Sequence, residues 1–366
     1  MMRIGLAGCG LIGSVHAYAL QQLAENGLVE AELASTFDTD RERAERVARS
    51  HGGRAVGSLD ELLDGVDVVW ICTWTAGHLE AVEAAAERGL PVFCEKPLAP
   101  TLDLCERAAA ALERVPHQVG LVLRWSPVFA EMGRIIESGR YGRPLATIMR
   151  DDQYFPIQGM YGSTWRAEAS LAGGGTLIEH SIHDIDVLRW LLGDPVSVSA
   201  STAATFGHAG IENVAALTLA YEGGSTATLV SVWHQILSRE SSRRLEVFCE
   251  DALLFTEDDY LGPLHIQTSD GLEIVEGRRP SGSPPSRFPR SSGTPSPTTP
   301  RRARRSSTTL PPAAARRGGI RRRRRPWQHT AWWMPRTAPR RPAGPRLPML
   351  GEPGAPARCG GRVPRC

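Results

Sequence analysis

Gly8-Cys9-Gly10-Leu11-Ile12-Gly13 follows the apolar run Arg3-Ile4-Gly5-Leu6-Ala7 and opens a segment with apolar residues at Ile12, Val15, Leu20 and Leu23. The run before it has the character of a short strand, and the spacing after it is helical. Glycine at position 8 permits a tight turn. Gly10 lets the backbone approach a pyrophosphate, and Gly13 lets helix and strand pack closely. Free amides at the helix start, around Leu11 and Ile12, then hold phosphate oxygens. Alone the pattern also fits an ordinary strand–helix turn. The context adds an acid at the end of the next strand, Glu32-Leu33-Ala34-Ser35-Thr36-Phe37, which closes on Asp38. Asp38 can accept hydrogen bonds from ribose hydroxyls and repels a phosphate there, so NAD is expected ahead of NADP. Arg41 and Arg43 soften that repulsion, and Asp38 can also be read as a helix cap.

The alternation continues. Val66 to Cys72, Pro91 to Cys94 and Val119 to Leu123 have the character of strands, while Glu80 to Arg88 and Thr101 to Leu112 have that of helices. Such alternation predicts a parallel sheet with crossover helices, whose ligands bind outside the carboxyl ends of the strands. Thr73 to His78, Glu95-Lys96-Pro97 and Arg124-Trp125 each follow such an end. Thr73, His78, Glu95, Lys96 and Arg124 are therefore expected at the cofactor crevice. Lys96 is the one lysine of the chain. Arginine keeps its proton and its planar fork, whereas an ammonium is compact and can lose its proton when buried.

In the second half, Leu177 to Leu192 carries a helical apolar pattern ended by Gly193-Asp194-Pro195. One helix there would put Glu179, His183 and Asp186 on a shared face, at i, i+4 and i+7. His180, His183 and Asp184 form a second cluster. Spacing alone permits a metal on Glu179, His180 and His183, but a further well-placed ligand is lacking and no metal is expected. Strand-like alternation follows over 196–205, 213–221 and 225–234, then in shorter pieces to Val275. It predicts an antiparallel meander with one covered face.

Charge divides the chain. Residues 1–278 carry 21 cationic and 39 acidic side chains, a net charge of −18, whereas residues 279–366 carry 21 arginines and one acid, a net of +20. That tail has 18 prolines in 88 residues and no helical or strand period. A disordered appendage and an arginine arm for nucleic acid are two readings of it. The reading preferred is a frameshifted translation, because Pro, Arg, Ser, Thr, Gly and Ala dominate GC-rich DNA read out of frame. Ser306-Ser307-Thr308-Thr309, written TCG TCG ACG ACG and followed by CTC, gives Val-Asp-Asp-Ala in a neighbouring frame. A nucleic-acid partner is not expected. No run is long and apolar enough to span a membrane. The N-terminus reads as a strand and not a signal peptide. Scattered Cys9, Cys72, Cys94, Cys105 and Cys249 read as buried free thiols, so a cytoplasmic location is expected.

Gly8 to Gly13, Cys72-Thr73 with His78, Glu95-Lys96-Pro97, and Gly173-Gly174-Gly175-Thr176-Leu177 through His183 and Asp186 together resemble the glucose-fructose oxidoreductase, inositol dehydrogenase and MocA family. The resemblance covers residues 1 to about 278. It implies an α/β fold: an N-terminal Rossmann dinucleotide-binding domain over 1–123 and an α+β domain with an open, mainly antiparallel sheet over 124–278. The second domain would mediate dimer or tetramer contacts. A closing helix and strand normally follow in the family, where this chain has its basic tail. The second domain is therefore expected to be incomplete, and the product poorly soluble or weakly active. The implied activity is reversible hydride transfer between NAD(P) and a secondary alcohol of a sugar or cyclic polyol. Lys96 would contact substrate and nicotinamide, and His183 would be the acid/base. Glu179 stands where the family usually has aspartate and would orient the imidazole. Trp165, Arg166 and His180 are expected at the substrate, although Arg166 also fits a surface salt bridge. A rival reading is an NAD-bound sensor or scaffold with weak or no turnover.

Overall fold

The computed structural model describes residues 1–257 and 260–276; the arginine-rich tail and its frameshift reading lie outside the described residues. The first half alternates β1 (Met2–Ala7), α1 (Leu11–Glu25), β2 (Ala31–Phe37), α2 (Arg41–His51), β3 (Arg54–Ala55), α3 (Leu59–Leu63), β4 (Val68–Ile71), α4 (His78–Glu87), β5 (Val92–Cys94), α5 (Leu102–Leu112) and β6 (His117–Val119). The strands form one parallel sheet in the order β3-β2-β1-β4-β5-β6. Near-continuous apolar residues make these strands suited to burial on both faces, and Leu6, Val69, Ile71 and Cys94 are buried. Strand order reverses between β1 and β4, so the loops after these two strands diverge and leave a crevice between them.

Local chemistry sets the helix starts. Asp40 caps α2 by accepting from the amides of Glu42 and Arg43. Ser58 caps α3 by accepting from Glu61 N. Gly10, before α1, supplies no side-chain cap.

The second half begins with a 3-10 turn over Val122–Trp125 and α6 (Pro127–Ser138), started by Ser126 as cap with proline in the first turn. Then come β7 (Pro144–Tyr154), α7 (Ala169–Ala172), α8 (Thr176–Glu179), α9 (Ile182–Leu192) and the strands β8 (Ser197–Ala203), β9 (Val214–Ala220), β10 (Thr226–His234), β11 (Ser242–Cys249), β12 (Leu253–Thr256), β13 (Leu264–Thr268) and β14 (Gly271–Val275). Eight strands form one sheet in the order β14-β13-β12-β11-β7-β10-β9-β8. All neighbours are antiparallel except β7 and β10, which run parallel. Met149, Leu229, Leu245 and Leu254 on its inner face pack with Phe129 and Met132 of α6 and Leu188 of α9. The alternate positions Ile148, Val230, Phe248, Leu272 and Ile274 face outward and are exposed.

Three expectations are corrected. The strand expected over Val119–Leu123 ends at Val119. Leu121 N turns back to Val119 O, and Gly120 lies where a Cβ would meet the Glu95 carboxylate at 3.0 Å. The helix expected over Leu177–Leu192 is broken at His180-Ser181. Ser181 N bonds Thr176 O across five residues, while the hydroxyls of Ser181 and Thr176 both bond Ser231 Oγ of β10 at 2.6 Å. Two short helices therefore replace one, and the shared face of Glu179, His183 and Asp186 is lost. Finally, the expected antiparallel meander is interrupted: β7, unrecognised in the sequence, inserts between β10 and β11 and runs parallel to β10. The thiols Cys9, Cys72, Cys94, Cys105 and Cys249 are free, and all but half-buried Cys105 are buried.

Candidate active site

The carboxyl ends of the parallel strands and the inner edge of the second sheet enclose a cleft of about 1260 Å³. At its phosphate end, Gly8 has φ +92°, and a Cβ there would lie 2.4 Å from the Cys72 carbonyl carbon. A Cβ on Gly13 would lie 2.0 Å from Gly8 O, whereas one on Gly10 would meet nothing within 4 Å. Gly8 and Gly13 thus let the loop and helix close on each other, and Gly10 leaves open room in front of uncapped α1 amides. That open approach, with Leu11 and Ile12 at its rim, fits a dinucleotide pyrophosphate.

Asp38 lies at the ribose end. Its Oδ2 accepts from Cys9 N at 2.8 Å and its Oδ1 from Asp40 N at 2.8 Å, so it braces the glycine turn from β2. It does not cap α2; Asp40 does. Arg43 and Arg46 line the same end of the cleft.

Glu95 and Lys96 follow β5. Glu95 Oε1 meets His16 Nε2 at 2.8 Å, and Oε2 accepts from Lys96 N at 3.1 Å. Burial pushes the Glu95 carboxyl up, but His16 and Lys96 outweigh it and hold it below the ordinary carboxylate range. Lys96 Nζ donates to Glu179 O at 2.6 Å, across the boundary between the two sheets. Burial lowers the Lys96 pKa, opposed by Glu179 and Glu95 and helped by Arg166 and Arg243. Thr73 lines the cleft.

His78 and Arg124 are placed differently from expectation. His78 is buried, with Nδ1 2.7 Å from Pro97 O and Nε2 3.1 Å from Thr73 O; it ties the loop after β4 to the loop after β5 and does not line the cleft. Burial lowers its pKa. Arg124 forks onto Asp186, Nε to Oδ2 at 2.7 Å and Nη2 to Oδ1 at 2.6 Å. This guanidinium holds α9 and is not among the cleft-lining residues.

Glu179 does not orient His183. Its carboxylate accepts from Thr75 Oγ1 at 2.8 Å and from Arg166 Nε at 3.0 Å, because the break after α8 turns it toward β4's loop. Arg166 stacks over Trp165 at 4.2 Å and Tyr161 at 5.4 Å, so it is an inward, aromatic-supported guanidinium rather than a surface pair. His183 lines the cleft, and its buried Nδ1 has no hydrogen-bond partner among the described residues. Nε2 is then the nitrogen able to meet a ligand. Burial, then Lys96 and Arg243, holds its pKa well below the usual histidine value. His180 also lines the cleft, but both ring nitrogens face protein groups: Nε2 meets Arg243 Nη2 at 3.2 Å and Nδ1 lies 3.2 Å from Asp151 Oδ2. It is therefore not available to substrate as expected.

His16, Thr75, Tyr161, Asp151 and Arg243 were not singled out in the sequence. His16 sits one turn into α1, where a helical histidine carries no local signal. Asp151 and Arg243 become partners only through the pairing of β7 with β11. Among the described residues, no three His, Cys, Asp or Glu side chains are grouped to hold a metal. None of the described helices is long and apolar enough to cross a membrane.

A dinucleotide-type sheet joined to an open sheet through a shared cleft defines the class. Residues 2–121 match the oxidoreductase family with an NAD-binding Rossmann fold, and residues 129–255 match the GFO/IDH/MocA C-terminal domain. The chain belongs to the Gfo/Idh/MocA oxidoreductase family. It is 34% identical over 203 residues to inositol 2-dehydrogenase 2 of Saccharopolyspora erythraea, covering 53% of this chain and 55% of that protein, about half the relative's length. It is 31% identical over 284 residues to inositol 2-dehydrogenase of Rhizobium meliloti, covering 74% and 80%. A solved structure of levoglucosan dehydrogenase with NADH and L-sorbose shares the fold, with a TM-score of 0.69, 22% identity and coverage of 75% and 80%.

Proposed function

We propose that the chain is an NAD-dependent dehydrogenase that reversibly oxidises a secondary alcohol of an uncharged sugar or cyclic polyol. The observation carrying this reading is that Lys96 and His183 face one cleft whose other end is the open turn at Gly10. Asp38 favours NAD, since a ribose phosphate would approach a carboxylate; Arg43 and Arg46 lessen the penalty. Charges beside the substrate end are largely matched within the protein: Arg166 by Glu179, and Arg243 by Asp184 and Asp151. A neutral ligand suits that balance. The inositol 2-dehydrogenases named above support the polyol class.

Bound nicotinamide supplies the hydride acceptor. The chain's own part is to place the alcohol and move its proton. His183 Nε2 accepts the hydroxyl proton, and its lowered pKa keeps it unprotonated and ready near neutrality. Lys96 donates a hydrogen bond to the reacting oxygen and stabilises the charge that develops there. Glu179 positions Lys96 through its carbonyl and Arg166 through its carboxylate. Trp165, Tyr161 and Arg166 wall the substrate end.

Turnover of myo-inositol and related polyols with NAD⁺ and NADP⁺ tests this reading. Lys96→Ala should lower kcat by about a hundred-fold or more while NAD⁺ still binds. Unchanged turnover in that variant would refute the role of Lys96. NAD⁺ binding without turnover on any polyol would favour the sensor reading instead. The exposed apolar residues of the outer sheet face support self-association through that face. Free thiols support a reducing compartment such as the cytoplasm.

A further inference from the structure

In the cleft wall lies a largely buried charge cluster to which the mechanism above gives no step. Arg243 of β11 is 3% exposed, and Asp151 of β7 and Asp184 of α9 are fully buried. Arg243 Nε donates to Asp184 Oδ1 at 2.5 Å, and its Nη2 lies 3.2 Å from Asp151 Oδ1. The same Nη2 lies 3.2 Å from His180 Nε2. A guanidinium only donates, so His180 Nε2 must accept. The ring proton of neutral His180 is then on Nδ1, and Nδ1 faces Asp151 Oδ2 at 3.2 Å. That contact lies at ion-pair distance without hydrogen-bond geometry, so the bond from Arg243 to Nε2 alone assigns the tautomer.

Two further observations bear on the cluster. Asp184 is adjacent to His183 in the first turn of α9, so its bond to Arg243 fixes the backbone that carries His183. Three residues on from His183, Asp186 is forked by Arg124. The turn is thus held from the second sheet by Arg243 and from the 3-10 turn after β6 by Arg124. Burial, and then the neighbouring Asp184, raises the Asp151 pKa well above the carboxylate range, opposed by Arg243.

We propose that Arg243 is a positioning residue that blocks His180 Nε2 and pins the first turn of α9, leaving His183 as the imidazole base at the substrate end of the cleft. The proposal rests on the dehydrogenase reading given above. The groups facing His180 are Arg243 from β11, Asp151 from β7, His183 from α9, Lys96 from the loop after β5 and Arg166 from the turn before α7. Four of the five are cations or can become cations, and with burial they oppose a charge on the ring.

The two roles separate in two variants. Arg243→Gln removes the cation and the fork. It should lower kcat by about a hundred-fold, as a misplaced base does, and add a second ionisation to the acidic limb of the kcat/KM profile as His180 regains a proton site. Arg243→Lys keeps a donor near His180 but cannot fork onto both acids, so kcat should fall while a single ionisation remains. If Arg243→Gln keeps the wild-type kcat and profile, the proposal is wrong. Losing a buried ionic partner can also unfold a protein, so a measurement on the unaltered chain is needed as well. Nitrogen-15 spectra of histidine-labelled protein, with His180 assigned by loss of its signal in His180→Gln, should show Nδ1 protonated and Nε2 bare from pH 5 to pH 8. A proton on His180 Nε2 in that range would overturn the proposal. This experiment needs no substrate, so it still decides the role of Arg243 if no polyol is turned over and the functional reading fails.

Discussion

Gly10 and Gly13 are three residues apart and look equivalent in a motif, yet the space around them differs. A methyl group at Gly13 would lie 2.0 Å from the Gly8 carbonyl oxygen, a backbone atom that cannot swing aside. Gly13→Ala should therefore destabilise the fold by about 1–3 kcal/mol through overpacking, read as a lower urea midpoint. At Gly10 a methyl group meets nothing within 4 Å in the protein. Gly10→Ala should leave the urea midpoint nearly unchanged and weaken NAD⁺ binding in calorimetry, because the methyl occupies the pyrophosphate approach. Equal loss of stability in both variants would contradict this account. The same contrast shows what is legible at this scale. The need for glycine at positions 8, 10 and 13 follows from a local turn. The roles of Arg124 and His78 do not: both stand at a strand end, and only the partners folded against them, Asp186 and Pro97 O, turn them away from the cleft.

Among the elements, α1 and the strands around it were legible because each buries an apolar set over adjacent residues. α8 and α9 read as one helix for the same reason. Their separation depends on Ser231, a hydroxyl on a strand some fifty residues later that competes for the Thr176 and Ser181 side chains. β7 was hidden because Arg150-Asp151-Asp152 interrupts its alternation, and the burial of Asp151 makes sense only opposite Arg243. The pair Arg124–Asp186 joins the start of α9 to the end of the parallel sheet, with both side chains largely shielded. Arg124→Leu and Asp186→Leu should each lower stability, since each leaves the other charge without a partner. The double variant should be less destabilised than the sum of the two, with a coupling of about 1–3 kcal/mol in a denaturation cycle. Additive losses would show that the pair does not hold α9.

For the whole molecule, one sheet is closed by helices and the other is open. The eight-stranded sheet buries its inner face and presents Ile148, Val230, Phe248, Leu272 and Ile274 on the outer one. A second copy can cover this face symmetrically. Val230→Arg should shift the species seen by light scattering toward the monomer without lowering the urea midpoint, because Val230 is 41% exposed and faces away from the core. An unaltered mass would remove this face from the interface. The parallel pairing of β7 with β10 also has a consequence in time. β6 completes the first sheet at Val119, whereas β7, ending at Tyr154, waits for neighbours that begin at Thr226 and Ser242. As the chain leaves the ribosome, the first sheet can close while β7 still has two bare edges. Those edges remain open to other chains until about a hundred further residues have been made, so the central strand of the second sheet is left unprotected through much of the chain's own synthesis.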